Sequence, residues 1–235
     1  MKNRFLKDIF SEKLYCRVFS AIALLFFTTA GFAQVNDAGL WVGVNVEKKI
    51  TKKLTAALSE ELRFNENVSE LGTAFTEAGV EYKLVKNLTV GVAYRFIQKR
   101  QLDDFYSLRH RGIASLTYKL KAKRIEISIR EKYQAQYTDV NSSDDGKVPD
   151  VYLRNKLTIK YDSQKKYTPF VASELFYQLN NPDGNEFDNV RYTAGFEYKF
   201  NKLNSADLFY LLNREFNVNN PLTEYIIGIS YTYIF

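Results

Sequence analysis

Apolar and polar side chains alternate along most of the chain. In the stretch 225–235 the odd positions are tyrosine, isoleucine or phenylalanine, and the even positions include Gly228, Ser230 and Thr232. The stretch 88–96 alternates in the same way, with apolar even positions and small or charged odd positions. A period of two residues is that of a β-strand, and helical periodicity is absent after residue 33. The pattern therefore predicts strands with one apolar face and one polar face.

The alternation predicts eleven strand segments, and their connections alternate in length. Short turns fall near 50–53, 85–87, 121–123, 162–166 and 201–205. Longer polar loops fall near 65–72, 98–104, 139–150, 180–188 and 216–222. The predicted segments are 38–50, 53–64, 73–84, 87–100, 104–120, 123–138, 150–162, 167–180, 186–200, 205–217 and 222–235. Short turns on one side and long loops on the other are typical of an outer-membrane barrel with its loops outside the cell.

The fold prediction is all-β: an antiparallel transmembrane β-barrel of about 10–12 strands over residues 34–235. No apolar run in this part is long enough for a transmembrane helix, so a spanning form must be a closed barrel. A bacterial barrel with both termini in the periplasm needs an even strand number. Either 38–50 is not a full wall strand, which leaves ten, or one division is missing, which gives twelve. A soluble lipocalin-like barrel, with an apolar cavity and polar exterior, is the rival.

Residues 1–33 have the features of a secretory signal peptide. Five basic residues accompany an apolar run at 18–27, and Gly31 and Ala33 are the small residues that a signal peptidase needs. We expect cleavage after Ala33. An uncleaved anchor is the alternative, but the run is too short to span a bilayer comfortably. Cys16 lies in this segment, so the mature chain has no cysteine and no disulfide.

Charge argues against a nucleic-acid partner. The whole chain carries a formal net charge of +6, but the predicted mature part has 28 Lys plus Arg and 25 Asp plus Glu, or +3. Basic and acidic residues alternate there and form no patch of one sign. The high isoelectric point therefore belongs largely to the signal peptide.

Tyrosines on the apolar phase lie near both ends of the predicted strands. Amphipathic rings at two depths match the two interfaces of a bilayer. Tyrosine is also a favoured strand residue in general. The predicted girdles are Tyr82, Tyr118, Tyr161, Tyr198 and Tyr233 near the short turns, and Tyr94, Tyr106, Tyr137, Tyr177 and Tyr225 toward the long loops.

Charged side chains on the inward phase form the predicted site, the lumen charge network. Acids and bases should pair across a narrow lumen, since an isolated buried charge is unfavourable. Such pairing predicts a structural barrel with a charge-plugged lumen; a narrow channel or small-solute transport barrel is the alternative. The network comprises Glu61, Arg63, Glu77, Arg95, Arg109, Arg111, Glu126, Arg130, Arg154, Glu174, Arg191 and Glu197.

Neither catalysis nor a bound metal or cofactor is expected. His110 is the only histidine, and Ser107 and Ser115 have the opposite strand phase, so no serine nucleophile accompanies it. An outer-membrane lipid-modifying enzyme using His110 stays open as a second alternative. No histidine and cysteine spacing suits a metal. The acidic cluster at 139–150 departs from the calcium-loop spacing, because Asp144 stands where glycine is needed.

Short motifs along the chain resemble a known family. They are Trp41, Glu61-Leu62-Arg63, Gly79-Val80-Glu81-Tyr82, Gly91-Val92-Ala93-Tyr94-Arg95, His110-Arg111, Arg130, Arg154, Pro169 with Glu174, and Arg191 with Gly195. The chain resembles the domain of unknown function numbered 2490, found in outer-membrane-type proteins of Bacteroidetes and Proteobacteria. The resemblance implies a barrel without an assigned activity, and hence no catalytic residues.

The chain ends on a further motif. Tyr233 and Phe235 at the foot of the last strand resemble the C-terminal signature by which bacterial outer-membrane barrels are recognised for insertion. The predicted location is therefore the cell outer membrane. The expected partners are the barrel-assembly machinery, outer-membrane lipid and lipopolysaccharide, and we expect a monomer.

Overall fold

Eleven β-strands make up the fold in a computed structural model that describes residues 35–101, 105–138, 148–181 and 184–235. Each predicted segment matches one strand to within three residues at either end. The signal peptide at 1–33 and Asp139, Asp144 and Asp145 lie outside the described residues, whereas Asp150 begins the seventh strand. The strands are β1 (Val35–Lys49), β2 (Leu54–Asn65), β3 (Glu70–Val85), β4 (Leu88–Arg100), β5 (Tyr106–Ala122), β6 (Ile125–Thr138), β7 (Asp150–Tyr161), β8 (Tyr167–Gln178), β9 (Glu186–Lys199), β10 (Asn204–Glu215) and β11 (Leu222–Ile234).

The strands form one closed barrel in chain order, and its closing pair is parallel. Strand β1 pairs antiparallel with β2 and parallel with β11, in register from Val35 opposite Leu222 to Glu47 opposite Ile234. The expectation of ten or twelve strands is therefore wrong within the described residues: the count is eleven, and β1 is a full wall strand. Closure requires only that both edge strands find partners, which a parallel pair satisfies as an antiparallel one does.

An odd strand number places the two ends of the barrel wall at opposite rims. Val35 lies at the rim of the longer connections, here called the loop end, and Ile234 at the rim of the short turns, the turn end. The connection at 66–69 is tight although it lies at the loop end, because the Asp37 carboxylate accepts the N–H groups of Glu66 and Asn67 at 3.0 and 2.8 Å.

The outer wall is apolar and the inner wall is polar. Exposed large hydrophobic residues such as Val92, Val171 and Ile227 alternate with inward-facing polar ones. This is the arrangement of a membrane barrel and the reverse of a lipocalin-like one. Outward tyrosines lie near both rims, but Tyr192 and Tyr210 lie at mid-strand, so the rings are not confined to two girdles.

No helix in the described ranges is long and apolar enough to cross a membrane.

Apolar side chains fill the lumen beside the parallel pair. Trp41, Leu211 and Ile226 form a buried cluster against which Phe209 packs. Phe209 lies in register with a glycine on each neighbouring strand, one of which is Gly228. A Cβ at position 228 would lie 2.0 Å from Phe209 Cζ, so the ring occupies space that only glycine leaves. The charged part of the lumen is thereby confined to the remaining wall.

Candidate functional site in the barrel lumen

All twelve residues of the lumen charge network lie on the inward-facing phase of their strands. Glu77, Arg95 and Arg111 are direct neighbours in register across β3, β4 and β5. A two-residue period and a fixed register bring these side chains together although they are distant in sequence. Parity was therefore sufficient to place the network inside the barrel.

Some of the network forms ion pairs. Arg63 contacts Glu61 at 2.6 Å on the same strand, and Arg95 contacts Glu77 at 2.6 Å across the β3–β4 pair. Charge-assisted contacts of this kind are stronger than neutral hydrogen bonds. They fix both guanidinium groups near the middle of the barrel.

Glu174 is the most strongly bound carboxylate of the network. It is only 5 % exposed, and its Oε1 accepts from Arg130 at 3.2 Å and from Arg154 at 2.9 Å. Arg154 is 8 % exposed and also donates to Gln134 Oε1 at 3.1 Å. One buried acid therefore holds two arginines from neighbouring strands.

Other members find no carboxylate partner among the described residues. Arg111 donates to the Gln136 side chain, and Arg191 donates through Nε to Asn213 Oδ1 at 2.7 Å. An amide satisfies a hydrogen bond but does not neutralise the charge. These two guanidinium charges are therefore uncompensated by contact.

The remaining members lie nearer the rims. Glu197 contacts Lys160 at 3.2 Å and Lys199 at 3.6 Å toward the turn end. Glu126 lies in register with Lys160 at the same end, while Arg109, toward the loop end, donates to a serine hydroxyl at 3.4 Å. The predicted network thus separates into a central group and peripheral pairs.

Arginines and aromatic rings alternate around the central lumen in what we call the arginine–aromatic belt. Trp41 has Arg63 at 3.7 Å and Arg191 at 5.4 Å from its ring centroid. Guanidinium groups stack favourably on aromatic faces, so the rings hold the arginines against the wall. The same contact joins Arg63 and Arg95 to Phe75 and joins Arg154 and Arg191 to Phe176, and the belt in order is Arg95, Phe75, Arg63, Trp41, Arg191, Phe176 and Arg154.

Sequence reasoning missed the aromatic members of the belt. Phe75 stands two residues before Glu77, and Phe176 stands two residues after Glu174, so each shares the inward phase of a predicted charge. Trp41 likewise faces inward, as Gly43 does two residues later on the same strand. That signal of strand phase was present, but only the tyrosines of the apolar face were considered, and the inward-facing aromatic residues were not.

Several cavities lined by the described residues follow one another along the lumen. The loop-end cavity has a volume of about 470 Å³ and reaches Val218 and Asn219 of the connection before β11. The middle cavity, of about 450 Å³, shares with it the four arginines Arg63, Arg95, Arg111 and Arg191. Two smaller cavities of about 230 and 210 Å³ lie toward the turn end. A layer of guanidinium groups thus separates the two large cavities.

The two large cavities carry an excess of basic residues. Six basic and two acidic residues line the loop-end cavity. Eight basic and four acidic residues line the middle cavity. Acids and bases in the central lumen are therefore unequal in number, so the acids that line these cavities are too few to pair with every base.

His110 lies outside this site. It faces outward, where its Nδ1 lies 2.5 Å from the Tyr94 hydroxyl and its ring lies against Phe96. Ser107 and Ser115 face the lumen, so neither meets the imidazole. Within the described ranges, no group of three histidine, cysteine, aspartate or glutamate side chains could hold a metal ion.

A family profile matches the chain over residues 38–224, which is most of the barrel. It is described as Protein of unknown function (DUF2490). The chain belongs to this family. The DUF2490 assignment agrees with the resemblance found in the strand motifs, and this member is an outer-membrane-type β-barrel protein of unknown function.

No curated protein matches the chain significantly. Among solved structures, the KdgM porin is 13% identical, with a TM-score of 0.45, and the match covers 72% of this chain and 81% of that one. The NanC porin is 14% identical, with a TM-score of 0.48 and coverages of 75% and 85%. OmpT of Vibrio cholerae is 12% identical, with a TM-score of 0.37 and coverages of 69% and 54%. Likeness at this level does not bear on what the DUF2490 chain does.

Proposed function

We propose that this protein is a structural outer-membrane barrel whose lumen is occluded by its own side chains. The arginine–aromatic belt carries the proposal, because it places planar groups from seven strands around the central lumen. A wall of eleven strands leaves little open width once long side chains fill the interior. The barrel should therefore conduct ions weakly or not at all.

The occlusion is held by contacts that resist rotation of the belt arginines. Arg63 is fixed by Glu61 and by the Trp41 ring, and Arg154 is fixed by Glu174 and by the Phe176 ring. Removing one partner of a buried ion pair costs about 3–5 kcal/mol, and less where water enters. Fluctuations that clear the lumen should accordingly be rare.

Single-channel recording in planar bilayers tests the occlusion. The wild type should show small or no conductance, whereas Arg63→Ala combined with Arg191→Ala should open steady channels, since both side chains stack on Trp41. Arg124→Ala, at the turn between β5 and β6, is the matched control and should behave as the wild type. Heat-modifiable gel migration checks that each variant folds. A large, steady wild-type conductance would contradict the proposal.

A narrow channel for small solutes is the second candidate. The observation that favours it is the pair of large cavities on either side of the belt, of about 470 and 450 Å³. Modest movement of the shared arginines would join them. In the recordings just described, the channel would appear as a defined wild-type conductance that Arg63→Ala changes in size without creating it.

Delivery and assembly belong to the same proposal. Residues 1–33 act as the signal peptide. The protein resides in the outer membrane of Bacteroidetes as a monomer. It has no enzymatic activity. The barrel-assembly machinery recognises Tyr233 and Phe235, whose rings stack at 5.8 Å on the outer wall. The backbone N–H of Phe235 donates to Glu47 O at 2.9 Å, so recognition would precede the pairing of β11 with β1.

A further inference from the structure

We propose that the loop-end cavity binds small polyvalent oxyanions, organic acids or phosphorylated compounds with more than one negative group. The inference goes beyond the occluded lumen, because a ligand can bind at the loop end without passing the belt. It rests on the composition of this cavity, on the partners of its basic groups and on how the belt holds them.

The basic excess in this cavity is not neutralised by the carboxylates that line it. Asp188 accepts the Tyr152 hydroxyl at 2.7 Å, and Glu215 accepts the Leu222 N–H at 3.1 Å. Both acids are therefore engaged at the rim by neutral donors. Neither lies within ion-pair distance of a basic group in the described part of the chain.

Two basic groups of the cavity are available to a ligand. Arg111 contacts only the neutral Gln136 side chain, and the Lys99 ammonium has no hydrogen-bond or ion-pair partner among the described residues. Like charges held close together attract a counter-ion, most strongly in a cleft with low-dielectric walls. An oxyanion is the ligand that would remove this imbalance.

The belt fixes the direction of further donors. Arg63 and Arg95 lie 5.1 and 3.7 Å from the centroid of the Phe75 ring, and Arg191 lies 4.6 Å from that of Phe176. A guanidinium on a ring face presents its N–H edge to a planar acceptor such as carboxylate or phosphate. In Arg63 and Arg95 that edge already contacts Glu61 and Glu77 at 2.6 Å, whereas Arg191 donates to the neutral Asn213 amide. Arg191 is therefore the belt arginine whose remaining N–H groups are held ready for a ligand.

The size of the cavity limits the ligand. A volume of about 470 Å³ lies within the range of small-molecule sites. Several basic groups around one space favour a ligand with two or three negative groups over a monovalent ion. Phe75 and Phe176, both largely buried, contribute apolar surface to the wall of this cavity.

Trp41 provides the measurement, because it is the only tryptophan of the chain and two arginines of the cavity stack on it. The barrel in a neutral maltoside detergent is titrated with citrate and, separately, with tripolyphosphate, at constant ionic strength. We expect a saturable change in Trp41 fluorescence with either probe. A response to one alone assigns the site to carboxylates or to phosphates.

Variants then locate the binding. Arg111→Gln should weaken affinity about tenfold and Lys99→Gln about threefold, because each removes one charge-assisted contact. Lys99 is exposed and its ammonium has no partner among the described residues, so its substitution should not disturb folding. Arg124→Gln is the matched control and should bind as the wild type.

Two results would overturn the anion site. One is a response to citrate and tripolyphosphate no greater than that to sodium chloride of equal ionic strength. The other is an affinity that neither Arg111→Gln nor Lys99→Gln changes. Conductance does not enter this assay, so a wide wild-type pore would contradict the occluded lumen and leave the binding result standing.

Discussion

At the scale of single residues, polar side-chain contacts bridge neighbouring strands on the outer wall. Glu131 and Asn155 lie near the middle of β6 and β7 and are hydrogen-bonded across the pair. A polar side chain at this depth is unfavourable in lipid unless it is paired. Such pairs among the described residues include Glu131 with Asn155, Glu60 with Thr76, His110 with Tyr94, and Asn204 with Tyr231.

Replacing the central pair should test this account. Glu131→Leu with Asn155→Leu removes both polar groups and should raise the free energy of unfolding by about 1–2 kcal/mol. Either substitution alone leaves one group without its partner and should stabilise less, or destabilise by about 1 kcal/mol. Urea unfolding in lipid vesicles measures all three variants. Equal and additive single effects would show that the two side chains do not interact.

The two-residue alternation along each strand identified the charged residues that face inward. It was not used to identify the polar residues that face outward. Glu60 precedes Glu61, and Glu131 lies between Arg130 and Lys132. Since successive side chains face opposite sides of a strand, one residue of each charged run must face outward. The inward-facing residues of these runs were predicted, but the outward positions of Glu60 and Glu131 were not.

At the scale of elements, two inward-facing glycines differ in how closely the neighbouring side chains approach them. Gly228 of β11 lies opposite Phe209 of β10, and an added Cβ would lie 2.0 Å from the ring. Gly43 of β1 has ordinary space, since its Cβ would meet no atom closer than 3.5 Å. The two glycines differ in packing although both face inward.

Gly228→Ala should therefore destabilise the barrel by about 1–3 kcal/mol, because Phe209 must leave its position in the wall. Gly43→Ala should change the free energy of unfolding by less than about 0.5 kcal/mol. The thermal midpoint of heat-modifiable migration in detergent reports both. If steric overlap is the cause, adding Phe209→Leu should recover most of the loss; a Gly228→Ala barrel that Phe209→Leu does not rescue would point to another cause.

The strand boundaries were predictable from local alternation, but the closure was not. Alternation and turn residues are local signals, and they defined eleven segments correctly. The pairing of Val35 with Leu222 joins residues almost a whole chain apart, and no local pattern specifies whether it is parallel. The even-number rule for bacterial barrels was applied in place of that missing signal and led to the wrong count.

At the scale of the whole molecule, the parallel closure determines which rim each end of the wall occupies. With eleven strands, Asn36 lies at the loop end, near Asn219, while Lys202 lies at the turn end. With an even number, the first and last strands would begin and end at the same rim. The sidedness of Asn36 therefore distinguishes the two architectures in a membrane.

Cysteine labelling in intact cells measures that sidedness. In a Cys16→Ser background, which removes the native cysteine, Asn36→Cys should react with a membrane-impermeant maleimide as readily as Asn219→Cys, because both positions are exposed at the loop end. Lys202→Cys should react only after the outer membrane is permeabilised. The contradicting result is that Asn36→Cys reacts only after permeabilisation while Asn219→Cys reacts directly. That result would exclude the parallel closure and support an even strand number.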